Sequence, residues 1–334
     1  MKNSYKMFIS RTPYRLSFYG GSLDYKSWYS KNSTKIICAG LDYYCYQSVR
    51  RIPKFFDYKY RICYSKIESA ININNIQHPS AREIIRKYAN NYPLEISYTG
   101  DLPARSGIGS SSAFTVGLIN SMRAINNQYI GRTELALEAI DFEQNVLNEV
   151  VGIQDQCASA FGGLILIEAD KQSIRPRRFI INPDYLNYLQ DNLLMGFDGI
   201  SRSSQVAAKN VVASISEKEK QQLFLELADL NVQGVEFFSS QESIDKHALI
   251  TKKIRDIKLQ LNGDRDIDKI NKIIAHTEAA GSLCTRFMGA GGGGFFICWA
   301  PKCHHDQIKN SVKIKTWVDV KFSSAGSQII FCDQ

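Results

Sequence analysis

No stretch of this 334-residue chain stays apolar for anything near the roughly 18 residues that a membrane-spanning helix requires. A secretory leader is also missing. Met1 to Tyr5 are polar and run straight into Met7-Phe-Ile-Ser10, with no charged segment, apolar segment and cleavage site in series. These absences predict a cytoplasmic protein with no membrane partner. There is no internal repeat and no low-complexity segment. The basic residues are scattered apart from Arg50-Arg51 and Arg175-Pro-Arg-Arg178, with no nucleic-acid motif around them. The formal charge of +8 therefore suits small anionic ligands, and no nucleic-acid partner is expected. The eight cysteines lack the spacing of a disulfide framework. Cys38, Cys45, Cys63 and Cys157 lie in apolar stretches and read as reduced core thiols. Cys298-Trp-Ala-Pro-Lys-Cys303 with His304-His305 is the one cluster resembling metal ligands. It has no second cysteine pair, and Cys298 falls in a buried-strand pattern, so zinc is not expected.

What is present is an ordinary globular composition, 44% hydrophobic and 22% charged, over a length that favours two domains. Strand patterns cover Phe8–Phe18 (interrupted by Pro13), Ile36–Val49, Tyr58–Ser65, Leu94–Tyr98 and Phe161–Glu168. Pro79 opens a short helix, and Thr133 is the predicted N-cap of a helix reaching about Val150. The boundary is placed near 180–190, dividing the chain into 1–185 and 186–334. After the strand Leu193–Phe197, helical patterns run to Ala280. The strands Phe295–Trp299, Thr316–Phe322 and Ser327–Cys332 then close the chain. Strands mixed with runs of helices predict an α+β fold in both halves.

The chemistry concentrates in Gly100-Asp-Leu-Pro-Ala-Arg-Ser-Gly-Ile-Gly-Ser-Ser-Ser-Ala113. This stretch joins a strand to an apolar stripe at helical spacing: Phe114, Leu118, Met122 and Ile125. Gly107 and Gly109 permit a tight turn, and Ser110, Ser111 and Ser112 fall at the helix start. Free N–H groups and the positive end of the helix dipole make such a turn a phosphate site, here for a nucleotide triphosphate. A Walker A loop is excluded because Gly109 is followed by Ser110, not lysine. A dinucleotide fingerprint is excluded because position 112 is serine and the next 20 residues read as helix.

Two carboxylates also call for explanation. Glu143 interrupts the stripe formed by Ala136, Ala139, Ile140, Val146, Leu147 and Val150, so it needs a partner on the core side. Asp155 lies in Val151-Gly-Ile-Gln-Asp-Gln156, a turn leading into a short helix. Near the N-terminus, Thr12-Pro-Tyr-Arg-Leu-Ser-Phe-Tyr-Gly-Gly-Ser-Leu-Asp-Tyr25 sets Arg15 in a strand and Asp24 just past a glycine turn.

With Leu102 to Ala113 and Met288-Gly-Ala-Gly-Gly-Gly-Gly-Phe295, that segment forms three motifs in an order that resembles the GHMP kinases. This is the family of galactokinase, homoserine kinase, mevalonate kinase and phosphomevalonate kinase. Within it, Gly20-Gly-Ser-Leu-Asp-Tyr25, Ile76-Gln-His-Pro-Ser-Ala-Arg-Glu83 and Val151–Gln156 are most similar to kinases acting on D-glycero-D-manno-heptose 7-phosphate. The resemblance implies a two-domain fold: an N-terminal mixed sheet with helices and a C-terminal ferredoxin-like α/β sandwich. It also implies transfer from ATP to an anomeric hydroxyl, with ATP and Mg²⁺ as cofactors and a sugar phosphate as partner. A homodimer remains open.

By family position, Pro103, Arg105, Ser106, Gly107, Ile108, Gly109, Ser110, Ser111 and Ser112 bind ATP. Ser111 and Glu143 hold the metal, with Glu149 as the alternative carboxylate. Asp155 faces the acceptor hydroxyl with Arg15 beside it, as proton acceptor or as orienting group. Asp24, Ser22, Gly20 and Gly21 contact the sugar, joined by Gly291 and Gly292. Arg11, Arg105 and Arg202 are the candidates for a distal phosphate. Other acceptors (galactose-like, fucose-like or mevalonate-like) and a non-catalytic sensor of ATP and sugar stay open. No role follows for His78 or Arg82 beyond a packed helix start.

Overall fold

The computed structural model describes residues 6–89, 92–201, 205–262, 268–289, 293–314 and 316–333. The first half supplies seven strands: β1 (Met7–Tyr19), β2 (Thr34–Arg51), β3 (Tyr60–Cys63), β4 (Ile67–Ala70), β5 (Leu94–Gly100), β6 (Leu164–Ala169) and β7 (Ile174–Arg178). The second half adds β8 (Leu193–Phe197), β9 (Cys284–Phe287), β10 (Phe295–Trp299), β11 (Thr316–Asp319) and β12 (Gln328–Cys332). Helices in chain order are α1 (Lys26–Tyr29), α2 (Pro79–Tyr88), α3 (Ser110–Ile125), α4 (Arg132–Asp141), α5 (Gln154–Phe161) and α6 (Pro183–Asp191). They continue with α7 (Gln205–Ile215), α8 (Gln221–Ser239), α9 (Ile244–Asn262), α10 (Asp268–Ala279) and α11 (His305–Ser311).

The long β2 organises the first sheet, in the order β12-β1-β2-β5-β3-β4 with β6 and β7 branching from β2. Its first half pairs with β6 and its second half with β5, while β1 runs antiparallel along both. β3 lies parallel to β5, so this sheet is mixed. Pro13 does not end β1. It produces a register shift between Pro13 and Arg15, as expected where a ladder donor is missing. The shift frees the Arg15 N–H to bond the Ile108 carbonyl at 3.0 Å, fastening the strand to the loop before α3.

The second sheet has the order β11-β8-β10-β9, all antiparallel. Numbered within this half, that is 4-1-3-2 with helices after the first and third strands, the ferredoxin-like arrangement. The fold is α+β, as expected. Across the expected boundary near 185 runs α6, and β12 returns from the second half to pair with β1 in the first sheet. The core is likewise shared. Phe18, Tyr19, Leu23 and Ile37 pack with Phe224, Phe238, Ile254 and Trp299 in one buried cluster.

Helix α9 is pinned across this junction. His247 is buried between the Tyr19 hydroxyl (2.7 Å from Nδ1) and the Tyr185 hydroxyl (2.8 Å from Nε2), and burial pushes its pKa down to about 4. The Trp299 indole donates to Thr251 at 3.0 Å, tying the same helix to β10.

Candidate active site

The glycine–serine loop forms the tight turn its composition requires. Gly107 and Gly109 sit at φ 86° and 71°, a region open to glycine at little cost. Gly109 occupies the position before α3, whose first turn therefore points its N–H groups into the loop. Ser110 accepts from the Arg105 N–H at 3.1 Å, Ser111 is exposed, and Ser112 is buried. The third motif supports the loop from below: Phe295 N–H donates to the Ser106 carbonyl at 2.9 Å. A β-carbon on Gly107 would lie 3.0 Å from the Met288 carbonyl oxygen.

Arg15 binds Asp155 through two parallel contacts, Nε to Oδ1 at 2.7 Å and Nη2 to Oδ2 at 3.1 Å. Its third nitrogen, Nη1, donates to the Gly107 carbonyl. Burial works against the guanidinium charge, but Asp155 outweighs it and the pKa is raised. Asp155 stands in the first turn of α5. A β-carbon on Gly109 would meet Asp155 Oδ2 at 3.1 Å. The phosphate turn and this carboxylate thus share one small volume.

Glu143 is 1% exposed, on the core side as expected, but the helix around it is not. It begins at Arg132 after Gly131, not at Thr133, and its α-helical part ends at Asp141. Phe142–Val146 is a π turn, with Leu147 N–H reaching back to the Phe142 carbonyl at 2.9 Å. The extra residue breaks the 3.6-residue phase, so Val146, assigned to the apolar stripe, is exposed. No ion pair holds Glu143 among the described residues. Its Oε2 accepts from Ser112 Oγ at 2.8 Å and from Gln156 Nε2, and its Oε1 is buried without a partner. Burial pushes its pKa up to about 7. An unsatisfied carboxylate oxygen beside a hydroxyl-rich helix start matches what a small hard cation takes from a protein. Glu149 is partly buried and its N–H bonds the Glu143 carbonyl at 2.9 Å.

On the other side of Asp155 lies Asp24, 8% exposed, with Oδ1 accepting from Ser22 N–H at 3.1 Å. Burial and then the neighbouring Asp155 charge raise its pKa to about 6. Ser17 donates to Gln154 Oε1 at 3.0 Å. Two further cations converge here that sequence reasoning missed. Lys258 of α9 interacts electrostatically with Asp24, and its Nζ lies where Gly21 leaves room, 3.1 Å from the position of a β-carbon there. Arg286 of β9 is 6% exposed and donates through Nη2 to the Ser17 carbonyl. A lone lysine on an amphipathic helix carries no local mark of burial. Arg286, alone in a short strand, carried one weak signal: a charge flanked by Cys284 and Phe287.

Other expected residues lie elsewhere. Arg11 stacks on Tyr44 (4.5 Å to the ring centroid) and donates to Gln328 at 3.1 Å, at the β1–β12 edge. The space beside Gly20 is filled by Ile36, 2.7 Å from a β-carbon position, so this glycine lets the neighbouring strand approach. Arg105 is exposed, and so is Pro103, while Ser106 and Ile108 are buried and brace the loop. Arg202, Gly291 and Gly292 lie outside the described residues. His78 is the N-cap of α2, its Nδ1 accepting from Ala81 N–H at 3.3 Å, and Arg82 bonds the Ile76 carbonyl at 3.0 Å. Both serve the helix start.

Comparison with known proteins gives a consistent picture. Residues 75–163 match the family described as GHMP kinases N terminal domain, spanning the phosphate turn, Glu143 and Asp155. The D-glycero-alpha-D-manno-heptose 7-phosphate kinase of Campylobacter jejuni is 24% identical over 340 residues, covering 96% of this chain and 98% of that protein. A D-glycero-D-manno-heptose 1-phosphate kinase from Bacteriodes thetaiotaomicron superposes with a TM-score of 0.74 at 18% identity, over 96% of this chain and 97% of that one. The Lactococcus lactis galactokinase complexed with galactose also gives 0.74, at 13% identity over 97% of this chain and 95% of that one.

Proposed function

We propose that this chain is a GHMP kinase, an ATP-dependent phosphotransferase acting on a sugar hydroxyl, and that its acceptor is D-glycero-D-manno-heptose 7-phosphate, phosphorylated at the anomeric hydroxyl to the 1,7-bisphosphate used for nucleotide-activated heptose. The observation that carries the reading is the shared volume of the phosphate turn and the Arg15–Asp155 pair. Phosphoryl transfer demands above all that donor and acceptor be held in line while negative charge is neutralised. Gly107 to Ser112 hold the nucleotide phosphates through backbone N–H groups. Asp155 takes the acceptor hydroxyl, either orienting it or receiving its proton, and Arg15 keeps the carboxylate aimed. Asp24 accepts from further sugar hydroxyls.

Glu143 and Ser111 are the residues that would hold Mg²⁺. Ser112, already committed to Glu143, sets the carboxylate angle. When bound, the ion supplies charge neutralisation for the nucleotide phosphates. The orphaned Oε1 of Glu143 supports this assignment. The intact Arg15–Asp155 pair favours catalysis over a sensor that only binds. An ATP-consuming reaction of this kind belongs in the cytoplasm.

The acceptor assignment rests on the whole-length likeness to the Campylobacter jejuni heptose 7-phosphate kinase. ADP release measured over heptose 7-phosphate, galactose, fucose and mevalonate tests it. The expected result is a kcat/KM for heptose 7-phosphate at least about 100-fold above the rest, with the bisphosphate seen by phosphorus NMR. Preference for an acceptor without phosphate would overturn the heptose phosphate reading.

A further inference from the structure

At the acceptor end of the site, three cations surround two carboxylates. Arg15 is fully engaged with Asp155 and the Gly107 carbonyl. Asp24 is the remaining carboxylate, and Lys258 and Arg286 are the remaining cations. Lys258 makes no hydrogen bond or ion pair among the described residues, although its Nζ lies against Gly21 of the N-terminal motif. Arg286 is 6% exposed and spends one nitrogen on the Ser17 carbonyl, while its Nε is buried without any acceptor. A buried guanidinium N–H left unbonded, beside an ammonium with no counterion in contact, is costly unless a ligand completes the pair.

We propose that Lys258 and Arg286 form an anion subsite that takes a phosphomonoester carried by the acceptor, distal to the hydroxyl that reacts. This rests on the sugar phosphate reading above and replaces the arginines that sequence alone put forward for that role.

The surroundings fit that ligand. A β-carbon on Gly21 would lie 3.1 Å from the Lys258 ammonium nitrogen, so this glycine leaves that space to the cation. Ser17 connects the subsite to the reacting end: its carbonyl fixes Arg286, and its hydroxyl donates to Gln154, the neighbour of Asp155. Neither cation bonds the glycine–serine loop among the described residues. They approach from α9 and β9 in the second half of the chain, whereas Asp24 and Asp155 belong to the first. A phosphate bound here would therefore bridge the two halves. Burial and the nearby Arg286 push the Lys258 ammonium down to about 7, the condition of a cation short of counter-charge. A phosphate dianion against it would restore the charge through charge-assisted hydrogen bonds.

The test pairs kinetics with direct binding. For each of Lys258→Met, Arg286→Lys and Arg286→Met, kcat/KM is measured for the heptose 7-phosphate and for the same heptose without phosphate. The ratio of the two is expected to fall by about 10- to 100-fold in Lys258→Met, with most of the change in KM. Arg286→Lys, which keeps the charge, is expected to retain part of the ratio. An unchanged ratio, or an equal loss on both sugars, would overturn the subsite, since either places Lys258 at a group common to both acceptors.

Binding is followed separately by calorimetry with inorganic phosphate, the phosphate turn being filled with the non-hydrolysable analogue AMPPNP and ionic strength matched with chloride. Binding is expected in the wild type and lost in Lys258→Met. Equal binding in both would also overturn the subsite. If the wild type turned over no heptose phosphate yet bound inorganic phosphate through Lys258, the acceptor reading alone would fall.

Discussion

The carboxylate of Asp24 and the backbone of Gly152 are in such close contact that a β-carbon on residue 152 would fall 1.8 Å from Asp24 Oδ2. The two residues are 128 positions apart, one after the glycine turn of the N-terminal motif and the other just before α5. The Ile153 N–H donates to the Asp24 carbonyl at 3.1 Å, locking the segments together. Asp24 and Asp155 are thereby held at a fixed separation.

Gly152→Ala should therefore displace Asp24 without touching the nucleotide side. The expected outcome is a loss of about 100-fold in acceptor kcat/KM, with nucleotide affinity within a few-fold of wild type. Steady-state kinetics with each substrate varied in turn checks this. A parallel loss of nucleotide binding would show that the clash spreads into the phosphate turn.

Asp155→Asn removes the charge but keeps the shape. Turnover should fall by about 10³-fold while AMPPNP still binds, because the turn and Arg15 remain. Near-normal turnover would refute the role given to Asp155.

Asp24 must be ionised to accept hydrogen bonds from two hydroxyls, and its pKa is raised to about 6 by burial and by Asp155. Acceptor kcat/KM should then fall as pH drops below about 6. Lys258 is the charge that opposes this rise. Lys258→Met should accordingly move the acid limb to higher pH, and a pH–rate profile of the two proteins compares them directly.

Glu143 binds its proton more tightly when folded, with a pKa of about 7 against the usual 4.5. The stability this confers is complete below the unfolded value and is lost as pH rises through about 7. In metal-free protein at pH 8, Glu143→Gln should be more stable than wild type, by up to about 3 kcal/mol. With Mg²⁺ and AMPPNP present the order should reverse, since only the wild type gains a ligand. Thermal melts under both conditions decide the matter. A variant that melts with wild type in every case would remove Glu143 as metal ligand.

Much of this site is legible in the sequence alone. Gly107, Gly109 and the three serines mark a turn and a helix start through backbone freedom and capping, which are local properties. The burial of Glu143 followed from its place among Ala139, Ile140 and Leu147, because helical periodicity is local too. The π turn was invisible, since one extra residue in a helix leaves no compositional trace. Lys258 looked like any surface lysine. Its position depends on α9 being anchored by His247 between Tyr19 and Tyr185, contacts that join three distant segments.

The sequence by itself determined the glycine–serine turn, the order of the three motifs and the α+β class, because each is written in short runs of residues. Only the tertiary structure decided what stands opposite that turn. It carried β12 back to β1, set Gly152 against Asp24, and brought Lys258 and Arg286 beside the N-terminal motif. Those outcomes depend on packing between segments up to 324 residues apart, which no local pattern records.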